Sequence, residues 1–251
     1  MAKARTLRRK PMPKTGLIFA YDFSTFDDKA ALLKEIASHV DLIKVGLQAI
    51  TALGPEHVSI AYTVQSFTGT VLQKKVMWDE KLLDIGNTIE GAAKNIALLS
   101  SVSLATLHAQ MSTAGLQAVV RAWEGKITPL AVTALTDLDD QACWDRFRRD
   151  AAQTVIDFAK IAYSNGIRGF VCSPHEAREI RNRFSDVTIV TPAIRPLWAV
   201  AKDEQKRVMT PTKAVQAGAD YIVVGRPISK PPEGKTSEHA AREIREELEA
   251  A

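Results

Sequence analysis

The sequence alternates, almost from end to end, between short apolar runs and longer amphipathic stretches. The apolar runs predict eight strands: Gly16–Tyr21, Leu42–Val45, Lys75–Trp78, Ser103–Leu107, Leu130–Ala134, Gly169–Cys172, Thr188–Val190 and Tyr221–Val224. Several runs are apolar at every position, which is typical of strands buried on both faces of a parallel sheet. The predicted helices are Asp27–Val40, Asn87–Leu99, Gln141–Ser164, Pro174–Phe184 and Ser237–Ala251. This rhythm predicts an α/β fold, a single-domain (β/α)8 TIM barrel.

A doubly wound open sheet is the alternative architecture. Such a sheet usually carries a glycine-rich turn after its first strand, whereas this chain has Asp22-Phe23-Ser24-Thr25 there. We therefore favour the barrel. Residues 1–14 are predicted to form a basic, flexible N-terminal extension, and residues 15–251 the catalytic barrel.

The formal net charge of +4 suggests a polyanionic partner until its distribution is considered. The first ten residues hold five basic side chains and no acidic one, so the remaining residues sum to −1. A nearly neutral body lacks the broad positive field of a protein that binds nucleic-acid backbones. We expect no nucleic-acid partner for the barrel, and an accessory contact through residues 3–10 is left open.

Composition argues against several classes of protein. Hydrophobic residues make up 46% of the chain, yet no apolar run approaches the roughly 18 residues of a membrane span. The first residues are basic and include no apolar run, so we do not expect them to form a secretory signal peptide. The two cysteines, Cys143 and Cys172, have neither the spacing of a zinc site nor that of a disulfide framework. We expect a cytoplasmic protein with no membrane association and no metal site.

Polar side chains close the predicted strands. They are Asp22, Lys44, Asp79 with Lys81, His108, Thr136, Ser173, Arg195 and Arg226. Because all eight carboxyl ends of a parallel barrel open onto one face, we expect these groups to share one rim. Contact with solvent alone accounts for Ser173 and Thr136. It does not account for four cations and three carboxylates, Asp84 included, at the same rim.

The densest polar segment runs from Trp78 to Thr88. Asp79 and Lys81 are two residues apart, so an extended chain would place them on the same side. A lysine and a carboxylate held together keep each other ionised, which makes Lys81 a candidate proton donor. Gly86-Asn87-Thr88 is predicted to supply a turn and the N-cap of the following helix.

A second cationic segment follows the last two strands. Barrels commonly bind phosphate at this position through loop amides and a short helix. Arg226, after Gly225, offers a forked donor that matches phosphate oxygens. The polar loop Leu197–Arg207 suits a lid over the site, with an ordinary surface loop as the alternative.

The segment Asp79-x-Lys81-x-x-Asp84-Ile85-x-Asn87-Thr88 resembles the signature of the orotidine 5′-monophosphate decarboxylase family. Further matching blocks, which extend the resemblance over about residues 15–231, are Asp22, Asp41–Gly46, Ala131–Thr136, Val171–Ser173, Thr191–Pro196, Gln205–Pro211 and Ala217–Ile228. The first motif occurs also in sugar-phosphate relatives, and the later blocks narrow the match. The chain departs from the family at Leu83, Gly86 and Ala193, where bacterial members usually have His, Pro and Gly. None is a charged catalytic position, so the departures bear on loop rigidity and rate.

The resemblance implies conversion of orotidine 5′-monophosphate (OMP) to UMP and CO2, in pyrimidine biosynthesis, without a metal or organic cofactor. Loss of CO2 leaves an electron pair at C6 in the plane of the ring, which only the electrostatics of the site can stabilise. Lys81 would stabilise and protonate C6, Asp79 would lie beside the substrate carboxylate, and Lys44 would bridge carboxylates and ribose.

The resemblance also implies the remaining contacts. Asp22 would bind ribose, Thr136 the pyrimidine, and Arg195, Gly225 and Arg226 the phosphate, with Gln205 linking the closing loop to it. Asp84 and Thr88 would enter from a partner subunit, which implies a homodimer with shared sites.

Two other functions stay open at this point. One is a metal-dependent sugar-phosphate lyase or synthase of the same suprafamily, and the other is a non-catalytic barrel that binds phosphorylated ligands. The three carboxylate and lysine charges at one strand end argue against an idle protein. His108 is expected to be structural rather than catalytic.

Overall fold

The computed structural model describes residues 14–24, 29–52, 65–199 and 209–251. Most of the predicted N-terminal extension, Gln205 and the greater part of the predicted lid therefore lie outside the described residues. Within them, no helix is both long and apolar enough to cross a membrane.

Eight parallel strands close into a barrel in the order of the chain. They are β1 (Gly16–Tyr21), β2 (Leu42–Gly46), β3 (Lys75–Leu82), β4 (Val102–His108), β5 (Thr128–Val132), β6 (Gly169–Val171), β7 (Thr188–Thr191) and β8 (Tyr221–Val224). The first strand pairs with both β2 and β8, with Ile18 opposite Leu42 and Gly16 opposite Tyr221. The predicted barrel is confirmed, and the open sheet is excluded because the last strand returns to the first.

Helices cover the outside of the barrel. They are α1 (Ala30–Ile36), α2 (Leu47–Thr51), α3 (Gly86–Ile96), α4 (Thr113–Trp123), α5 (Asp140–Phe147), α6 (Ala151–Ser164), α7 (Pro174–Arg183), α8 (Pro211–Gln216), α9 (Arg226–Ser229) and α10 (Ser237–Ala250). A π-helical turn, Phe67–Val71, precedes β3, and a 3-10 turn, Leu197–Ala199, follows β7.

The predicted single helix Gln141–Ser164 is wrong, because the chain forms α5 and α6 there. Arg148 takes a left-handed conformation, with φ of 57°, that ends α5. Asp150 then caps α6 by accepting a hydrogen bond from the N–H of Gln153 at 2.7 Å. The apolar periodicity continues through this break, so the pattern alone did not reveal it.

The strands are buried on both faces, as their composition predicted. One set of side chains fills the barrel interior, among them Ile18, Met77 and Leu130. The alternate set, which includes Leu17 and Phe19, packs outward against the helices. Because both faces of the strands are mainly apolar, the charged residues that could form a site lie at the strand ends.

Two carboxylates fasten the strands at the amino-terminal end of the barrel. Asp41, just before β2, accepts a hydrogen bond from the N–H of Leu17 in β1 at 2.7 Å. Asp220, just before β8, accepts one from the N–H of Ile189 in β7 at 2.7 Å. Each carboxylate thus ties its own strand to the neighbouring strand, at the end opposite the predicted site.

Asp220 also binds Arg181, and both side chains are largely buried. We expect Asp220→Ala to lower the free energy of unfolding by about 1–3 kcal/mol, because a strand N–H and a guanidinium lose their acceptor. Urea denaturation measures the loss. We expect kcat to be unchanged, because the predicted site lies at the opposite end of the barrel.

Glu179→Ala is the matched control, since Glu179 pairs with Arg183 on the exposed face of α7. An exposed pair contributes less than about 1 kcal/mol. Equal losses in the two variants would contradict a structural role for Asp220.

Candidate active site

Four charged side chains form a chain of ion pairs at the carboxyl end of the barrel. Lys44 in β2 binds Asp22, which follows β1, at 2.8 Å. The same ammonium lies 3.3 Å from Oδ2 of Asp79 in β3, and that oxygen accepts a hydrogen bond from Nζ of Lys81 at 2.9 Å. The structure therefore brings Asp22, Lys44, Asp79 and Lys81 together, in alternating charge.

Burial differs along this chain of charges. The side chains of Lys44 and Asp79 are 11% and 9% exposed, whereas that of Lys81 is 36% exposed. Burial alone would lower the pKa of Lys44, but the carboxylates of Asp79 and Asp22 outweigh it and raise the pKa above its ordinary value. Lys44 is thus a fixed cation at neutral pH, and Lys81 is the cation that faces the open rim.

Lys81 reaches this position through a bulge. Between Trp78 and Leu82, four steps along β3 match only two along β4, from Ala105 to Leu107. Lys81 takes a positive φ of 56° within this irregularity. Plain alternation along an extended strand predicted that Asp79 and Lys81 would meet. They do meet, but through a bulge with a backbone conformation that side chains other than glycine seldom adopt.

Thr106 in β4 belongs to the site, although sequence reasoning missed it. Its buried hydroxyl donates to Oδ1 of Asp79 at 2.9 Å and accepts from the N–H of Lys81 at 3.0 Å. The signal in the sequence was a threonine two residues before His108, flanked by the apolar Ala105 and Leu107, since alternate residues share a side of a strand.

Gly46 is a second residue that the sequence interpretation did not single out. It ends β2 opposite Asp79. A Cβ atom at this position would lie 2.7 Å from Nζ of Lys44 and 3.2 Å from Oδ1 of Asp22. The lysine ammonium thus occupies the space that a side chain would take, which explains a glycine two residues after this strand's lysine.

Asp84 and Thr88 do not join the charged group. Both are exposed, and Oδ1 of Asp84 accepts a hydrogen bond from the N–H of Ile85 at 2.6 Å. The predicted N-cap at Gly86-Asn87-Thr88 is wrong, because α3 begins at Gly86 with Ile85 as its N-cap residue and no side-chain capping bond. Leu83 and Ile85, on either side of Asp84, are 56% and 73% exposed.

The predicted phosphate residues lie at the ends of adjacent strands. Arg195 follows β7, where its N–H donates to the carbonyl oxygen of Met209 at 3.0 Å. Arg226 begins α9 directly after Gly225 and β8. Ala193 holds a φ of 62°, which accounts for the glycine that the family usually has there.

Two other predicted rim residues, Thr136 and Ser173, lie outside the charged group. Thr136 is half-buried, four residues beyond the end of β5. Ser173 caps α7 by accepting a hydrogen bond from the N–H of His175, which is a structural role. Gln205 lies outside the described residues.

His108 ends β4 close to the charged group. Burial, and then the ammonium of Lys81, lower the pKa of His108 below its ordinary 6.5, and Asp79 only partly opposes them. Its buried Nδ1 has no hydrogen-bond partner within the described residues. Over the same part of the chain, no three His, Cys, Asp or Glu side chains are grouped so that they could hold a metal ion.

Comparisons with known proteins identify the family of this chain. Residues 15–243 match the model of the orotidine 5′-phosphate decarboxylase / HUMPS family. Orotidine 5′-phosphate decarboxylase of Anaeromyxobacter sp. strain K is 38% identical over 229 residues, which are 88% of this chain and 94% of that protein. The enzyme of the same name from Heliobacterium modesticaldum is 37% identical over 248 residues, or 94% and 96% of the two chains.

The fold of this chain also matches a solved structure of an enzyme with the same name. The crystal structure of orotidine 5′-phosphate decarboxylase from Lactobacillus acidophilus matches with a TM-score of 0.76 and 26% identity, over 93% of this chain and 99% of that one. The family model matches this chain along nearly its whole length. This chain, a barrel with an Asp–Lys–Asp–Lys group at its rim, therefore belongs to the orotidine 5′-phosphate decarboxylase / HUMPS family.

Proposed function

We propose that this chain decarboxylates OMP to UMP and CO2, as a step of pyrimidine biosynthesis in the cytoplasm. The observation that carries the proposal is the group of alternating charges that ends in Lys81. It sets a cation next to a buried carboxylate at an open strand end. The name that the relatives carry, orotidine 5′-phosphate decarboxylase, supports OMP as the substrate.

The chemical step requires stabilisation of charge at one carbon. The bond from C6 to the carboxyl carbon breaks, CO2 leaves, and the electron pair stays on C6. A cation fixed in advance beside that atom stabilises the pair without reorganisation, and Lys81 is the cation at the open side of the group. The proton then passes from Nζ of Lys81 to C6, which leaves a neutral amine that solvent reprotonates.

Asp79 has a role before the bond breaks. Its carboxylate is buried and forms ion pairs with Lys44 and Lys81. A substrate carboxylate bound beside it would be repelled, and departure of CO2 would relieve that repulsion. Lys44 pairs with Asp79, and together with Asp22 it would hold the ribose hydroxyls.

The phosphate would bind at a distance from the reacting carbon. Arg195 and Arg226 follow adjacent strands, and Gly225 places a backbone without a side chain beside Arg226. Gln205 would join the loop to the phosphate, and Thr136 would contact the pyrimidine. Binding energy from such a remote group can hold the reacting part of the substrate in the strained position that the chemistry needs.

A second copy of the chain would complete the site. Asp84 and Thr88 are both exposed. Within the described residues, neither side chain forms a hydrogen bond or an ion pair with Lys81. In this proposal they therefore act across a homodimer interface. The exposed Leu83 and Ile85 beside Asp84 supply apolar surface for that interface.

Incubation of the protein with OMP, with and without EDTA, tests the proposed function. Loss of the orotate chromophore that EDTA does not change is the expected result. Turnover that EDTA abolishes would instead favour a metal-dependent lyase or synthase. Binding of UMP without turnover would favour a barrel that only binds phosphorylated ligands.

Replacement of the proton donor gives a sharper test. We expect Lys81→Ala to lower kcat by at least about a thousand-fold, because both the stabilising charge and the proton are lost. Binding of UMP, measured by calorimetry, should survive. Lys94→Ala is the control, since Lys94 pairs with Glu90 on the exposed face of α3, and retained activity in Lys81→Ala would refute the assignment.

His108 should make the free energy of unfolding depend on pH. Its pKa is lowered by burial and by Lys81, so the folded protein binds fewer protons than the unfolded chain just below pH 6.5. Protonation therefore favours the unfolded chain, and His108 costs stability as pH falls from 7 to 5.

We expect the wild type to lose more unfolding free energy over this range than His108→Gln, as measured by urea denaturation at both pH values. The NMR titration midpoint of His108 should lie below 6.5. A midpoint at or above 6.5, or equal losses in the two proteins, would contradict this prediction.

A further inference from the structure

We propose that Thr106 is a positioning residue for the decarboxylation, which holds the Asp79 carboxylate and the Lys81 backbone in register through one hydroxyl group. This inference rests on the proposed function. Thr106 itself would touch neither the substrate nor the reacting carbon.

The direction of both hydrogen bonds follows from the partners. The backbone N–H of Lys81 can only donate, so the Thr106 hydroxyl accepts there, at 3.0 Å. The hydroxyl proton is then available for the carboxylate of Asp79, with 2.9 Å between Oγ1 and Oδ1. One buried oxygen atom thus connects the side chain of one proposed catalytic residue to the main chain of the other.

The contact at Lys81 supports the bulge. The bulge displaces Lys81 from the regular ladder between β3 and β4 and gives it a φ of 56°. Such a conformation costs on the order of 1–3 kcal/mol and persists only where surrounding contacts hold it. Because Thr106 lies in β4, the neighbouring strand itself holds the bulge at the residue whose side chain supplies the proton.

The contact at Asp79 orients its carboxylate. Oδ1 accepts from Thr106, whereas Oδ2 faces both ammonium groups, Lys81 at 2.9 Å and Lys44 at 3.3 Å. A carboxylate held at one oxygen has little freedom to turn the other away from the lysines. Thr106 therefore sets the distance between Asp79 and Lys81 from both sides of the pair.

Removal of the hydroxyl has a definite consequence. Thr106 is fully buried, and valine has almost the same shape, so Thr106→Val leaves no cavity. It does leave a carboxylate oxygen and an N–H without their partner, and the bulge would relax to recover one. Displacement of a catalytic group by about 1 Å can lower a rate by about a hundred-fold. The ribose and phosphate contacts do not involve Thr106, so binding should be spared.

The experiment compares Thr106→Val, Thr106→Ser and a matched control, Thr15→Val. Thr15 is also buried, and its hydroxyl donates to the carbonyl oxygen of Ala219 at 2.9 Å, at the opposite end of the barrel. We expect Thr106→Val to lower kcat about ten- to a hundred-fold, with KM for OMP and Kd for UMP changed less than about three-fold. Thr106→Ser, which retains the hydroxyl, should recover most of kcat, and Thr15→Val should keep it.

Crystal structures of the variants give a readout that does not depend on activity. In Thr106→Val, the distance from Oδ2 of Asp79 to Nζ of Lys81 should exceed the 2.9 Å of the unaltered site. An unchanged site in that structure would overturn the proposal, as would an unaltered kcat in Thr106→Val or an equal loss of kcat in Thr15→Val. If the wild type fails to decarboxylate OMP, the proposed function fails, and the structural comparison still decides whether Thr106 positions Asp79 and Lys81.

Discussion

The carboxylate of Asp79 is the point at which the functional end of the barrel is held together. Its two oxygens accept hydrogen bonds or ion pairs from β2 through Lys44, from the bulge through Lys81, and from β4 through Thr106. Lys44 extends the connection to Asp22 after β1. Four successive strand ends are therefore fixed by one charge. A buried carboxylate without these partners would be strongly unfavourable, so the surrounding positions are constrained by Asp79 as much as it is by them.

The four charges of this group sum to zero, so they contribute nothing to the net charge of the chain. The strands bury apolar side chains on both faces, whereas at this rim Lys44, Asp79 and Lys81 place opposite charges within a few ångströms of one another. Lys44 and Asp79 would each be costly alone in such a buried place, and together they make a fixed electric field that is available before any ligand arrives. Net charge over the whole chain measures none of this separation.

The sequence predicted the barrel well because eight apolar runs left few other ways to bury their surface. It also brought Asp79 and Lys81 together correctly, since residues so close along the chain can hardly be far apart. What it missed depends on pairing between strands. The bulge at Lys81 and the role of Thr106 appear only when β3 lies beside β4. The break at Arg148 was missed for a different reason, because polar caps interrupted a helix without interrupting its apolar periodicity. The proposed roles of the rim residues come from the resemblance, because spacing alone left them open.

Charged side chains hold neighbouring strands together at both ends of the barrel. Asp41 and Asp220 fasten neighbouring strands at the amino-terminal end, and the Asp79 group lies at the carboxyl-terminal end. The barrel's apolar interior separates the two. Selection for heat resistance can thus act on one end while selection for turnover acts on the other. A laboratory lineage evolved under both pressures would accumulate its substitutions in two distant groups with little epistasis between them.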